Sequence, residues 1–170
     1  IPPADVSTAQ AHDTLVRNLH FAADAARQQG VRVLLEPINH FDMPGFFVNR
    51  PSQALAILDE VGADNLFLLY DIYHAQRMEG ELASTLRAHL PRIGHMQLAD
   101  TPGRNEPATG EINYRYLFDL ADALGYMELS VIRVLEPSTE HNLVVGEVIS
   151  GKMLKEGEPW VHIRKNGANY

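Results

Sequence analysis

Cysteine is absent from this 170-residue chain. Disulfides, thiolate-bound zinc and a cysteine nucleophile are therefore excluded. Cations are also scarce: 14 Lys and Arg stand against 22 Asp and Glu, a formal net charge of −8. That balance argues against a nucleic-acid or anionic-membrane surface, either of which needs a basic patch. No apolar run reaches the ~18–20 residues required to span a bilayer, and no basic-then-apolar segment opens the chain. A cytoplasmic protein that uses neither nucleic acid nor membrane is the expectation. Low-complexity segments are missing too. The glycine-bearing stretch TPGRNEPATGE lacks both the Gly-Lys-Ser/Thr ending of a phosphate-binding loop and the glycine spacing of a dinucleotide site. The remaining composition, 45% hydrophobic and 21% charged, is that of an ordinary folded domain with a sizeable core.

The chain alternates between two periodicities. Ser7 and Gln10 form a capping-box pair ahead of Leu15, Leu19, Ala22, Ala23 and Ala26 at helical spacing, and Gly30 stops that helix. VRVLLEPI (Val31 to Ile38) reads as a buried parallel strand ending in a carboxylate. Pro51 then opens a helix that Gly62 closes. The pattern repeats as a strand from Asn65 to His74, a helix from Glu81 to Leu90, and a strand from Arg92 to Asp100. A Pro/Gly loop over Thr101 to Gly110 leads to a helix capped by Asn113, and a fourth strand is expected from Glu128 to Pro137. Strand–helix alternation predicts an α/β fold with a parallel sheet. After Pro137 the rhythm breaks. Leu143 to Val148 and Trp160 to Arg164 alternate like short strands between glycines, and no amphipathic helix covers them.

Polar residues at the C-terminal ends of parallel strands face the ligand site. Glu36, Asp71, Gln97 and Glu136 occupy such ends in four successive strands, spaced at about one βα unit. Three carboxylates and an amide oxygen make a hard, oxygen-rich site suited to Mg²⁺ or Mn²⁺, and the cation relieves their mutual repulsion. Any one of them alone would be read as a helix cap or a surface charge. His74 lies three residues past Asp71, and His95 shares a strand face with Gln97. Arg104 sits with Asn105 and Glu106 in the strand-to-helix loop, where substrate contacts are usually found. His20, His89 and His162 read as surface or packing residues.

The segments LLEPINHFDMPGFF, NRPSQALAILDEVGADN, YDIYHAQRMEGEL, RIGHMQLADTPGRNEPATGEINY and LFDLADALGY together resemble hydroxypyruvate isomerase, a family of xylose-isomerase-like (β/α)₈ TIM barrels. The resemblance runs from Ile1 to about Met127. It implies that Glu36, Asp71 and Gln97 are metal ligands, that Glu36 is also one of two glutamate acid/bases, and that His74 and Arg104 face the substrate. A complete barrel takes about 250 residues, so an incomplete C-terminal half barrel is expected over residues 1–127, with 128–170 as a divergent tail. Counting from Gly125, the position matching the family's second glutamate holds Arg133. Glu136 takes that role only if the strand shifts by three, which turns the side chain to the other face unless a bulge intervenes.

The implied reaction is an aldose–ketose isomerisation between hydroxypyruvate and tartronate semialdehyde, metal-assisted and acting on a small hydroxy-oxo acid or sugar-like substrate. Related 2-oxo-tetronate isomerases and ketose 3-epimerases would use nearly the same residues. A metal-dependent endonuclease on a related barrel fits the acidic balance less well. A truncated or fused non-catalytic product is the rival of a different kind, and its unpaired strand edges would favour self-association.

Overall fold

The computed structural model describes residues 1–126 and, beyond them, the backbone of four short strands. Helix α1 (Thr8–Arg27) begins where the Ser7 hydroxyl accepts the Gln10 N–H and the Gln10 side chain accepts the Ser7 N–H, the expected capping box. Its inner stripe buries Leu19 and Ala23. Strand β1 (Val33–Leu35) follows, then α2 (Pro51–Val61), which has proline in its first turn and ends at Gly62 in the left-handed region, φ 65°. A side chain is disfavoured in that conformation, so glycine stops the helix without strain. Strand β2 (Leu66–Asp71) runs directly into α3 (Ile72–Met78). After α4 (Leu82–His89) and a 3₁₀ turn at Leu90–Arg92 come β3 (Ile93–Gln97) and α5 (Tyr114–Ala123).

β1, β2 and β3 form one parallel sheet in chain order. Consecutive βα units lay strands down in that order, whereas a doubly wound sheet reverses direction at its centre. Along β2 the burial alternates. Leu66, Leu68 and Tyr70 pack into the core with α2, while Phe67 and Leu69 on the other face are only half-buried. Register carries that second face across the sheet: Leu34 pairs with Phe67, and Asp71 pairs with Gln97. Side chains two residues apart share a face, so Glu36, Asp71 and Gln97 all belong to the face opposite the helices, at the C-terminal ends of their strands. The strands approach closely beneath them. A Cβ on Gly94 would lie 2.7 Å from the Phe67 Cβ and 2.8 Å from the Leu34 Cδ2.

Three expectations need correction. The strands are shorter than their apolar runs, because the end residues turn into loops or helices. Ile72 to His74, expected as strand, open α3 instead, because the Asp71 carboxylate accepts the Tyr73 N–H and caps a helix there. Of the expected fourth strand the described residues are Arg133–Leu135 (β4), and among the described residues they pair antiparallel with Leu143–Val145 (β5) and not with the parallel series. A short connection suffices for an antiparallel neighbour, whereas a parallel one needs a crossover of a dozen or more residues. Arg164–Lys165 (β6) and Ala168–Asn169 (β7) form a second antiparallel pair. Glu136 lies outside the described residues. Among the described residues no helix is long and apolar enough to cross a membrane.

Buried and exposed apolar positions should respond differently to substitution. Leu68→Ala removes a side chain with no solvent exposure and is expected to cost about 2–5 kcal/mol in urea unfolding. Phe21→Ser, at a residue 78% exposed on α1, should stay within about 0.5 kcal/mol of the parent.

Candidate active site

Asp71 ends β2 and caps α3 with the same carboxylate. Its Oδ1 accepts the Tyr73 N–H at 2.9 Å, which leaves Oδ2 to face the site. Because α3 starts at once, His74 falls in its first turn, and its ring returns toward Asp71: Nε2 lies 3.5 Å from Asp71 Oδ2 and 3.9 Å from Glu36 Oε1. One donor atom from each of Glu36, Asp71 and His74 falls within 4.8 Å of the others. Asp71 and His74 are almost fully buried, while Glu36 keeps about 29% of its side chain open. Gln97 is half-buried beside Asp71 in register, and His95 sits two pairs lower, opposite Leu69. Burial is the largest influence on the His74 imidazole and pushes its pKa below the ordinary value. Asp71 opposes this and Arg104 adds to it.

Arg104 reaches the site from the loop after β3. Its guanidinium Nη2 donates to Asp71 Oδ2 at 3.3 Å and stands 3.2 Å from His74 Nε2, with the Tyr73 ring 5.0 Å away. Its Nε is buried and has no hydrogen-bond partner among the described residues. The loop owes its shape to Asp100, which has no solvent exposure. The Asp100 carboxylate accepts the backbone N–H groups of Thr101 at 2.9 Å, Ala108 at 2.9 Å and Ile112 at 3.0 Å. The Asp100 N–H donates to the Asn105 carbonyl, and the Glu111 N–H to the Thr101 carbonyl. The chain closes so tightly that a Cβ on Gly110 would come within 2.2 Å of the Thr101 carbonyl oxygen. Arg104 is thus held at positive φ, 59°, on the rim of a loop braced from inside.

Four of the expected site residues, Glu36, Asp71, His74 and Arg104, come together, with Gln97 in register beside them. Sequence reading assigned no role to Asp100, Asn39 or Asp42. Asp100 carried a signal: an acid between an apolar strand and a Pro/Gly loop is a ready acceptor for the loop's amides. Asn39 and Asp42 bracket a turn in which the Asp42 N–H donates to Asn39 Oδ1 at 2.9 Å and Asn39 Nδ2 donates to Asp42 Oδ2 at 3.0 Å. Tyr73 O–H donates to Asp42 Oδ2 at 2.7 Å, and Arg77 pairs with Asp42 Oδ1. Burial works to raise the Asp42 pKa, but these hydrogen bonds and the Arg77 charge outweigh it and hold the carboxyl below its usual range.

Carboxylates, an imidazole and a guanidinium gathered at the C-terminal ends of consecutive parallel strands are the arrangement of a (β/α)-barrel ligand site. The chain belongs to the Xylose isomerase-like TIM barrel family, whose model matches residues 2–150. It is 52% identical over 124 residues to hydroxypyruvate isomerase of Escherichia coli (strain K12), covering 73% of this chain and 48% of that protein. The 2-oxo-tetronate isomerase of Cupriavidus necator matches at the same identity and coverage. Among solved structures, AP endonuclease, family 2, from Brucella melitensis is similar with a TM-score of 0.70 at 34% identity, covering 72% of this chain and 48% of that one. The chain therefore spans about half the length of the curated relatives it matches. The resemblance drawn from the motifs holds, and the partial coverage fits an incomplete barrel. The family model extends to residue 150, past Met127, where the motif resemblance stops.

Asp100→Ala removes the shared acceptor of three loop amides, those of Thr101, Ala108 and Ile112. Hydrogen bonds to a charged group contribute about 1.5–3 kcal/mol each, and their losses within one network are not additive. The expected result is a stability loss of about 3 kcal/mol or more, with faster hydrogen exchange at Ala108 and Ile112 than in the parent. Unchanged exchange at both amides would refute the bracing role.

Proposed function

We propose that this chain carries part of the site of a metal-assisted aldose–ketose isomerase for small hydroxy-oxo acids, with hydroxypyruvate and tartronate semialdehyde as the interconverted pair. The convergence of Glu36, Asp71 and His74 at the strand ends supports it. The donor set fits a divalent cation. Glu36, Asp71 and Gln97 offer hard oxygen donors, and Asp71 keeps Oδ2 on the site side because Oδ1 is used by α3. Mg²⁺ or Mn²⁺ suits such donors. When bound, the ion supplies Lewis-acid polarisation of the substrate's carbonyl and hydroxyl oxygens.

Glu36 removes a proton from the hydroxymethyl carbon of hydroxypyruvate. The released electron pair forms the carbon–carbon double bond of an enediol as the carbonyl pair moves onto its oxygen. Proton return to the neighbouring carbon, with transfer of the hydroxyl proton between the two oxygens, gives the aldehyde with no net change of electrons. Arg104, whose buried Nε lacks a partner, takes the substrate carboxylate with Nε and Nη2 as a two-pronged donor, and His74 faces a substrate oxygen. Glu136 is the candidate second acid/base: it precedes Pro137 as Glu36 precedes Pro37. We assign these roles to a partial barrel domain over 1–127 with a tail over 128–170, and the cytoplasm is the proposed compartment.

A second reading, a non-catalytic partial product, is favoured by Arg133 at the position matching the family's second glutamate. It is also favoured by the single-sided pairing of β1 and β3 among the described residues, which invites self-association.

Calorimetric titration of Mn²⁺ and a hydroxypyruvate assay decide between them. Asp71→Ala should weaken Mn²⁺ by more than the ~10–100-fold typical of a residue behind the ligands, and unchanged affinity would refute the ligand set. In the assay, Mn²⁺ added after chelation should restore turnover, and Glu36→Gln should lower it by about 10²–10⁴. A chain that binds Mn²⁺ without turning over establishes the non-catalytic reading instead.

A further inference from the structure

The reaction as drawn leaves one fully buried amide unused. Asn39 has no solvent exposure and lies against the Nδ1 side of the His74 ring, while Nε2 is the ring nitrogen near Glu36 and Asp71. Its orientation is fixed by Asp42 from two directions: Oδ1 accepts the Asp42 N–H at 2.9 Å, and Nδ2 donates to Asp42 Oδ2 at 3.0 Å. Turning the amide over would set its oxygen against a carboxylate and its NH₂ against an N–H. Asp42 cannot easily move away, since Tyr73 and Arg77 hold its two oxygens.

With that orientation set, the Asn39 NH₂ has one hydrogen left, and it points at His74 Nδ1, 2.6 Å away. The Asn39 backbone N–H approaches the same ring nitrogen at 3.4 Å. Both groups are donors, so Nδ1 must present its lone pair, and the single proton of the neutral ring sits on Nε2. Arg104 Nη2 is 3.2 Å from Nε2. Two donors do not bond each other; they converge on Asp71 Oδ2, at 3.3 Å from the guanidinium and 3.5 Å from the imidazole.

We infer that Asn39, locked by Asp42, is a positioning residue that holds His74 with its proton on Nε2, so that His74 offers a hydrogen-bond donor, and not a metal-binding lone pair, between Glu36 and Asp71. Coordination through Nε2 would move the proton to Nδ1, where two donors oppose it, whereas a metal-bound histidine normally donates its other ring N–H to an acceptor. The Nε2–H thus faces Asp71 and Glu36 in the free site and is the donor that an incoming substrate oxygen would meet. Only the identity of that oxygen rests on the isomerase reading.

The test is a two-bond ¹H–¹⁵N correlation spectrum of the uniformly ¹⁵N-labelled, metal-free and substrate-free chain, with His74→Gln assigning the ring. The expected pattern is a downfield, unprotonated Nδ1 and an upfield, protonated Nε2, with a scalar coupling across the hydrogen bond from Asn39 Nδ2 to Nδ1. Asn39→Asp replaces the donor by an acceptor and should shift the two resonances toward the reverse order. Reverse order in the parent, equal shifts of the two nitrogens, or a pattern unaltered by Asn39→Asp would overturn the inference. If Asn39→Asp does not fold, the coupling in the parent decides, and its absence overturns it. An inactive chain with the expected spectrum would refute the isomerase reading alone. An active chain with the proton on Nδ1 would refute the positioning role alone.

Discussion

The Asp71 carboxylate is the interaction on which the site depends, because its two oxygens answer to different parts of the structure. Oδ1 accepts the Tyr73 N–H and starts α3, while Oδ2 meets the guanidinium of Arg104 and faces the ring of His74. The end of a strand, the start of a helix and the tip of a distant loop are thereby referred to one side chain. Placing such a carboxylate in the interior costs several kcal/mol unless donors surround it. Here a backbone amide and an arginine supply them. The same donors that make the buried acid tolerable also fix the geometry around it.

The parts of this arrangement that repeat along the chain could be read from sequence, and the parts that depend on contacts across it could not. Glu36, Asp71 and Gln97 each fall at the end of an expected strand, so their place at the ligand-facing end of the sheet could be read from the strand–helix alternation. The register sets Asp71 beside Gln97, and Glu36 directly follows β1. The start of α3 was hidden because the run NLFLLYDIYH stays apolar through the change from strand to helix. Nothing in composition separates Tyr70 from Ile72, and only the cap formed by Asp71 does so. Asn39 and Asp42 looked like ordinary turn residues. Their role comes from Tyr73, His74 and Arg77, more than thirty residues later. The expected fourth strand is present at Arg133–Leu135, but a β-rich run specifies a strand without specifying its partner, and these residues pair with an antiparallel one.

Rigid support surrounds the polar groups on the loop side as well. Asp100 gathers three amides beneath the loop, Tyr114 O–H donates to the Ala99 carbonyl at 2.7 Å, and Arg104 projects from the rim at positive φ. Charge buried under the loop and charge presented above it do different jobs. Asp100 satisfies backbone donors, whereas Arg104 keeps a buried Nε with no partner among the described residues.

The immediate succession of β2 and α3 has a consequence for how such a site can change over time. An α-helix turns about 100° per residue, so inserting or deleting a single residue between Asp71 and His74 would swing the imidazole a quarter-turn or more around the helix, away from Glu36 and out of reach of Asn39. Substitutions can adjust the chemistry of these two positions one at a time, but a change of spacing alters every contact of His74 at once. The interval of three residues is therefore as much a component of the site as the carboxylate and the imidazole it separates.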